Sequence, residues 1–405
     1  MTMAISTSLN IEDILKYHKG RAQRIKDDKS SAGRAGSVSS AGTKLFPSAS
    51  HHNRSSGLTP KMKAQGIVSG AKESMVKIDK ANKGIKTSGH LFEAADYIAR
   101  HGKIDLEDEN GALLNHAEMK DRIDAWVESQ DIPESLEQNS KRPADARRLI
   151  FSCPKGSNPD AVRAAVKELA QEYFGADGYN YLFAVHYKNK DMPNEPEHPH
   201  VHLLIKSLNS QGKRLNLRKE DLRYLRERFA VIAKKYGIDL NATSRAVRGV
   251  TKKGKTQERI HEEARSWERF GDAPQHKYSK SRAAEIDDAL DSGSLKSSES
   301  EGRKKAAYTR SDVLKNAQLY LNELKKSDSQ NDLNLALDLE RFIKNMPPVE
   351  TSQEEILRKI KEFKDKERAR GYDIKEKIRQ RKSNNKQSQA QKWAIHRKKQ
   401  NQERE

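Results

Sequence analysis

The residue types able to do chemistry gather in one stretch, residues 181–206. His186 stands near the end of one apolar run, and His200 and His202 stand at the start of the next, with a polar, proline-rich connection between them. This pattern predicts a β-hairpin with a long loop. Alternate residues of a strand share a face, so His200 and His202 point one way while Val201, Leu203 and Ile205 point the other. His186 shares its face with Ala184 and Leu182. If the runs pair, opposed side chains lie about 5 Å apart, and three imidazoles converge. Three neutral nitrogens on one side of a divalent cation leave positions open for substrate or water. A single strand histidine is ordinarily a packing or surface residue, so the metal reading rests on the H-x-H spacing opposite a third histidine. His198, cut off from the strand by Pro199, reads as an ordinary histidine.

The elements that must position this set belong to a long, basic chain. It has 405 residues, 78 of them Lys or Arg against 58 Asp or Glu, for a net charge of +20. That length predicts two or three units. Only 34% of residues are hydrophobic, so part of the chain packs no core of its own. The charge implies a polyanionic partner, most simply nucleic acid, against the plainer reading of a solvating basic surface. Cys153 is the one cysteine, which excludes an internal disulfide framework and points to a reducing, cytoplasmic compartment. No apolar run approaches the roughly 20 residues of a membrane span, and no signal-peptide core is visible.

Along the chain, residues 1–70 are expected to form a disordered extension, with a short amphipathic helix over 11–18. Order is expected from Ser74, with a strand over 75–78. A helix follows over 88–102, capped by Ser88 and stopped by Gly102. Leu91, Ala94, Ala95 and Ile98 form its buried stripe. Tyr97 falls on the polar side with His90, Glu93 and His101, which by itself describes an ordinary half-exposed tyrosine. A hairpin turning at 109–111, a helix over 116–128 and a buried strand over 148–153 come next. Pro159 opens a helix capped by Asn158, with Val162, Val166, Leu169 and Tyr173 inward. A further helix over 220–236 turns Leu222, Leu225, Phe229, Ile232 and Ala233 inward. It turns Arg223, Arg226, Arg228 and Lys234 outward, toward phosphates or water. After the domain over 71–250, a basic linker (251–300), a helical region (301–370) and a basic tail (371–405) are expected.

With these residues in order, the chain resembles the MOBP-type relaxases of mobilisable and conjugative plasmids, which belong to the HUH superfamily. The resemblance covers about residues 75–249. The helix carrying Ala95-Asp96-Tyr97-Ile98 resembles the segment that bears the family's nucleophilic tyrosine. Leu149-Ile150-Phe151-Ser152 resembles the second motif, whose serine holds DNA near the cut. Ala184-Val185-His186, with His198-Pro199-His200-Val201-His202, resembles the metal-binding motif. In this chain the loop after His186 is longer, and no Asp follows that histidine directly. Asp191 and Glu197 therefore either orient a ligand histidine or are simply solvated.

The resemblance implies an α+β domain: a central antiparallel sheet with helices on one face and a DNA groove on the other, followed by the basic helical C-terminal region. It implies an enzyme with Tyr97 as nucleophile, Ser152 as a DNA contact, and His186, His200 and His202 holding Mg²⁺ or Mn²⁺. Such an enzyme nicks single-stranded DNA at an origin of transfer and stays joined to the 5′-phosphate. Relaxosome accessory proteins and a type IV secretion coupling protein are the partners implied. No ATP-binding loop is present or needed. Two alternatives stand beside it: a rolling-circle replication initiator, and a non-enzymatic basic DNA-binding accessory protein.

Overall fold

The computed structural model describes residues 41–51, 54–78, 84–138, 140–193, 195–251, 257–270, 284–286, 288–290 and 300–369. Two short helices come first, α1 (Ala41–Leu45) and α2 (Pro60–Val68), with β1 (Ser50–His51) and β2 (Arg54–Ser55) paired between them. β3 (Lys72–Glu73), β4 (Met75–Ile78) and α3 (Ser88–Ile98) follow. A hairpin of β5 (Leu106–Asp108) and β6 (Leu113–Leu114) leads into α4 (His116–Glu128). Then come β7 (Ala146–Ser152), α5 (Pro159–Tyr173), β8 (Tyr181–His186), β9 (His200–Lys206), α6 (Lys219–Lys235) and β10 (Leu240–Asn241). Helices α7 (Gln257–Phe270), α8 (Glu301–Lys325), α9 (Gln330–Lys344) and α10 (Ser352–Ala369) complete the described chain. None of the described helices is long and apolar enough to cross a membrane.

The main sheet has six strands in the order β4-β7-β9-β8-β5-β6, all antiparallel. Its register sorts side chains onto two faces. Leu149, Leu203 and Phe183 lie opposite one another, as do Phe151, Val201 and Val185. This face buries itself against the apolar stripes of α5 (Val162, Val166, Leu169) and α6 (Leu225, Phe229, Ile232). On the other face Ala146, Leu204, Leu182 and Ala184 pack under α3 and α4 through Leu91, Ala95, Ile98, Met119 and Ile123. The α+β architecture with an antiparallel sheet is thus as the sequence indicated. The second face, however, is half covered: α3 and α4 roof one end, and the histidines hold the other.

The caps follow from local chemistry. Asn158 accepts from the Asp160 N–H at the head of α5, and Asn115 with Glu118 forms a capping box on α4. On α3 the cap is Thr87, which accepts from the His90 N–H, one residue before the Ser88 expected. The helix also ends earlier than Gly102. After Ile98 the backbone turns left-handed at Arg100 (φ 52°), His101 (φ 56°) and Gly102 (φ 79°), and the His101 N–H returns to the Asp96 carbonyl at 3.0 Å.

The extension expected over 1–70 is corrected in its second half. Residues 41–51 and 54–68 are folded onto the domain. Ala41, Leu45, Phe46, Ala64 and Ile67 form one buried cluster with Val313, Ala317, Tyr320 and Leu321 of α8 and with Leu335 and Leu339 of α9. The Glu323 carboxylate accepts from the Ala41 N–H (2.7 Å) at the N-terminus of α1. Lys63 and Glu227 make a wholly buried ion pair at 2.8 Å, and Glu227 also accepts from Ser56 Oγ (2.6 Å) and the Ala49 N–H (2.9 Å). Average composition hides this, because few apolar residues suffice when each is buried and a distant carboxylate satisfies the lysine. The helical region expected over 301–370 contains α8, α9 and α10, and α7 lies inside the stretch expected to be linker. The helix expected over 11–18 and the basic tail lie outside the described residues.

Candidate active site

Antiparallel pairing sets His186 directly across from His200, and Ala184 across from His202. The ring centroids stand 5.4 Å (His186–His200), 4.8 Å (His186–His202) and 5.1 Å (His200–His202) apart. All three residues are buried, and one ring nitrogen from each lies within 4.8 Å of the others. Their hydrogen bonds select tautomers. His186 Nε2 faces the Ile98 carbonyl at 2.8 Å, so it carries the proton and leaves the Nδ1 lone pair free. His200 Nδ1 donates to the His198 carbonyl at 3.3 Å, which frees Nε2. The Nδ1 atoms of His186 and His202 are buried without any hydrogen-bond partner. Buried, unpartnered nitrogens converging on one point suit a cation that takes their lone pairs.

Burial pushes the His186 imidazole down to about 3 and the His202 imidazole down to about 2, with neighbouring positive charge adding to the effect at both. The His200 imidazole is lowered for the same first reason. The three rings are therefore neutral at physiological pH, the state in which imidazole ligates metal.

Tyr97 occupies the last turn of α3, the residue before the carbonyl that binds His186. Its ring meets His202 edge-on, at 5.5 Å between centroids and an interplanar angle of 87°. It is 42% exposed, so the phenol remains open to a large substrate. Two guanidinium groups lie over the ring, Arg100 at 4.6 Å and Arg148 at 4.8 Å from its centroid. The end of α3 is anchored by Asp96, whose carboxylate binds His116 Nε2 at the head of α4 (2.9 Å). Ser152 pairs with His200 across β7 and β9 and is half-buried on the histidine face. Met75, paired with Ser152 on edge strand β4, is exposed there.

Of the two readings open for Asp191 and Glu197, the structure bears out the solvated one. Asp191 is exposed, and Glu197 pairs with Lys155 at 2.5 Å, so neither orients a histidine. Glu195 takes the inner position, with one oxygen 2.5 Å from Arg100 Nη2 and the other 4.0 Å from His200 Nε2. On α6, Arg228 binds Glu172 with a forked pair of hydrogen bonds (2.9 and 2.7 Å), and Arg223 binds Glu227. These two arginines are structural, while Arg226 and Lys234 remain exposed. Sequence reasoning missed Arg100, Arg148 and Glu195. Strand parity could have found Arg148, since it shares the face of Ser152 four residues on.

The segment holding all of these groups has known relatives. Residues 97–238 match the family model "Relaxase: MobA/VirD2-like, nuclease domain", a span that begins at Tyr97 and includes Ser152 and the three histidines. Residues 97–238 are thus similar to MobA/VirD2-like relaxase nuclease domains. The T-DNA border endonuclease VirD2 of Rhizobium radiobacter is 29% identical over 183 residues, which is 42% of this chain and 42% of that protein. VirD2 of Agrobacterium fabrum is 28% identical over 206 residues, 47% of this chain and 44% of its own length. The chain thus spans less than half the length of these curated relatives. Among solved structures, one described as the molecular basis of vancomycin resistance transfer in Staphylococcus aureus aligns at 20% identity and a TM-score of 0.28, covering 43% of this chain and 100% of that one. The conjugative relaxase TrwC in complex with oriT DNA, metal-free, aligns at 13% identity and a TM-score of 0.28, covering 60% of this chain and 98% of that one. The edge strand β4 and the cap Thr87 lie just upstream of the matched span, yet β4 completes the sheet beside Ser152.

Proposed function

We propose that this protein is a DNA relaxase that nicks one strand at an origin of transfer and begins plasmid mobilisation. One observation carries the reading: an exposed tyrosine set edge-on against His202, one of three buried, neutral, mutually facing histidines. A neutral phenol is a weak nucleophile, so the site needs positive charge around the reacting phosphate. His186, His200 and His202 would hold a divalent cation, Mg²⁺ or Mn²⁺ in the cell. When bound, that ion supplies electrostatic stabilisation of charge on the phosphodiester oxygens.

The chain's own residues do the rest. Tyr97 Oη gives up its proton to solvent water and attacks phosphorus; the new Oη–P bond forms as the P–O3′ bond breaks, and the departing 3′-oxygen takes a proton back from water, so the step is proton-neutral. The 5′-phosphate stays on Tyr97, which conserves the bond for later rejoining. Ser152, beside His200, contacts the strand near the cut. Arg148 lies over the Tyr97 ring and restrains it. The relaxosome accessory proteins and a type IV coupling protein are the partners this role requires.

The test is to incubate the full chain and Mn²⁺ with single-stranded origin DNA and to look for the covalent product. Tyr97→Phe removes only the phenol oxygen, so DNA binding persists while cleavage and adduct vanish. Cleavage at a replication origin in place of a transfer origin would support the rolling-circle reading instead, and binding without any adduct would support the accessory-protein reading.

A further inference from the structure

Arg100 stands where the proposed reaction needs a cation. Its guanidinium lies over the Tyr97 ring and meets Glu195 Oε1 at 2.5 Å, while Glu195 Oε2 lies 4.0 Å from His200 Nε2. The glutamate carboxylate therefore binds the arginine beside the nucleophile and stands next to the free nitrogen of a triad histidine without a hydrogen bond to it. A phosphodiester has the same outline for this purpose: a single negative charge shared by two non-bridging oxygens. Arginine's planar fork suits either anion.

Two further features single Arg100 out. Its backbone is left-handed (φ 52°), a conformation unfavourable for a residue with a Cβ and retained where the surroundings impose it. That turn folds the side chain back over the residue three before it. Its Nε is buried without a hydrogen-bond partner, although Nη1 reaches the Tyr97 carbonyl (3.4 Å) and Nη2 the glutamate. A guanidinium with an unused buried donor has capacity for another acceptor.

We propose that Arg100 binds the scissile phosphodiester, and that Glu195 keeps this place in the DNA-free protein until the phosphate displaces it. The inference rests on the reading that Tyr97 attacks a phosphodiester at the histidine triad. It assigns Arg100 two duties, restraining the Tyr97 ring and receiving the substrate anion. It makes Glu195 a competitor that keeps the site closed to weakly bound anions.

The experiment uses the full chain with Mn²⁺ and a fluorescein-labelled single-stranded oligonucleotide covering the transfer origin. Affinity is read by anisotropy, adduct formation by single-turnover kinetics, and Mn²⁺ affinity by calorimetry. Glu195→Gln should bind the strand about fivefold tighter, the scale of one released hydrogen bond. Arg100→Met should slow adduct formation about 100-fold, with Arg100→Lys between it and the wild type. Both Arg100→Met and Glu195→Gln should keep wild-type Mn²⁺ affinity, which also reports that the site is folded. In the double variant Arg100→Met/Glu195→Gln the affinity gain should disappear, because the competition is for Arg100.

A gain that persists without Arg100 overturns the proposal, as does loss of Mn²⁺ affinity in Glu195→Gln or wild-type cleavage by Arg100→Met. If the wild type forms no adduct at all, the relaxase reading fails, and the binding cycle still decides whether Glu195 guards Arg100.

Discussion

His186 Nε2 donates to the carbonyl of Ile98 at 2.8 Å, one residue after Tyr97. The last turn of α3 thus carries the candidate nucleophile and also sets the tautomer of a candidate metal ligand. A helix C-terminus leaves carbonyls unpaired, and here one of them is used on an imidazole. The two halves of the site are mechanically joined, so a shift of α3 moves both.

The triad's burial makes acid destabilisation predictable. The folded pKa values of His186 and His202, about 3 and about 2, lie below the unfolded value near 6.5. Over that interval the unfolded chain binds protons that the fold refuses. Stability from this source is therefore complete above pH ~6.5 and is lost as pH falls toward the folded values. Urea midpoints of the metal-free protein should drop between pH 7.5 and 5, and the drop should shrink in His186→Phe/His202→Phe. An unchanged slope in that variant would show that other groups dominate.

Metal affinity should depend on each histidine. His202→Ala is expected to weaken Mn²⁺ binding by at least about 10-fold, since even groups that merely orient a ligand contribute that much. Chelator should stop cleavage by the wild type, and added Mn²⁺ should restore it. Calorimetry of Mn²⁺ binding to the variant checks the first point; undiminished affinity would remove His202 from the ligand set.

The buried pair of Lys63 and Glu227 ties residues 41–68 to α6. Burial pushes the lysine pKa down while the glutamate opposes this, the balance expected of a desolvated pair. Lys63→Ala leaves Glu227 charged and buried, and should cost about 3–5 kcal/mol in chemical denaturation. By the same reasoning a fragment beginning at Met75 should be unstable. One spanning 41–344 should fold and nick, because it retains the buried cluster that α1 and α2 share with α8 and α9. A stable, active fragment of residues 75–249 would contradict this.

Much of the site was legible because it depends on short periodicities. Alternation placed His200 and His202 on one face, and pairing to His186 followed from two apolar runs of matching length. Helical spacing set Tyr97 apart from Leu91, Ala95 and Ile98. What escaped depends on long-range pairing or on unusual backbone. Lys63 and Glu227 are 164 residues apart, and nothing local marks either as buried. Arg100 reaches Tyr97 through a left-handed turn where a continuing helix was expected. Glu195 stands two residues from Glu197 in a proline-rich loop, and only the folded loop shows which of them turns inward.

The central claim is that Tyr97 becomes covalently joined to DNA. The direct measurement is mass spectrometry of the proteolysed complex formed with Mn²⁺ and single-stranded origin DNA. The account predicts a peptide containing Tyr97 that carries a 5′-linked nucleotide, absent from Tyr97→Phe and from chelated samples. A nucleotide on any other residue, or an adduct that persists in Tyr97→Phe, would contradict it.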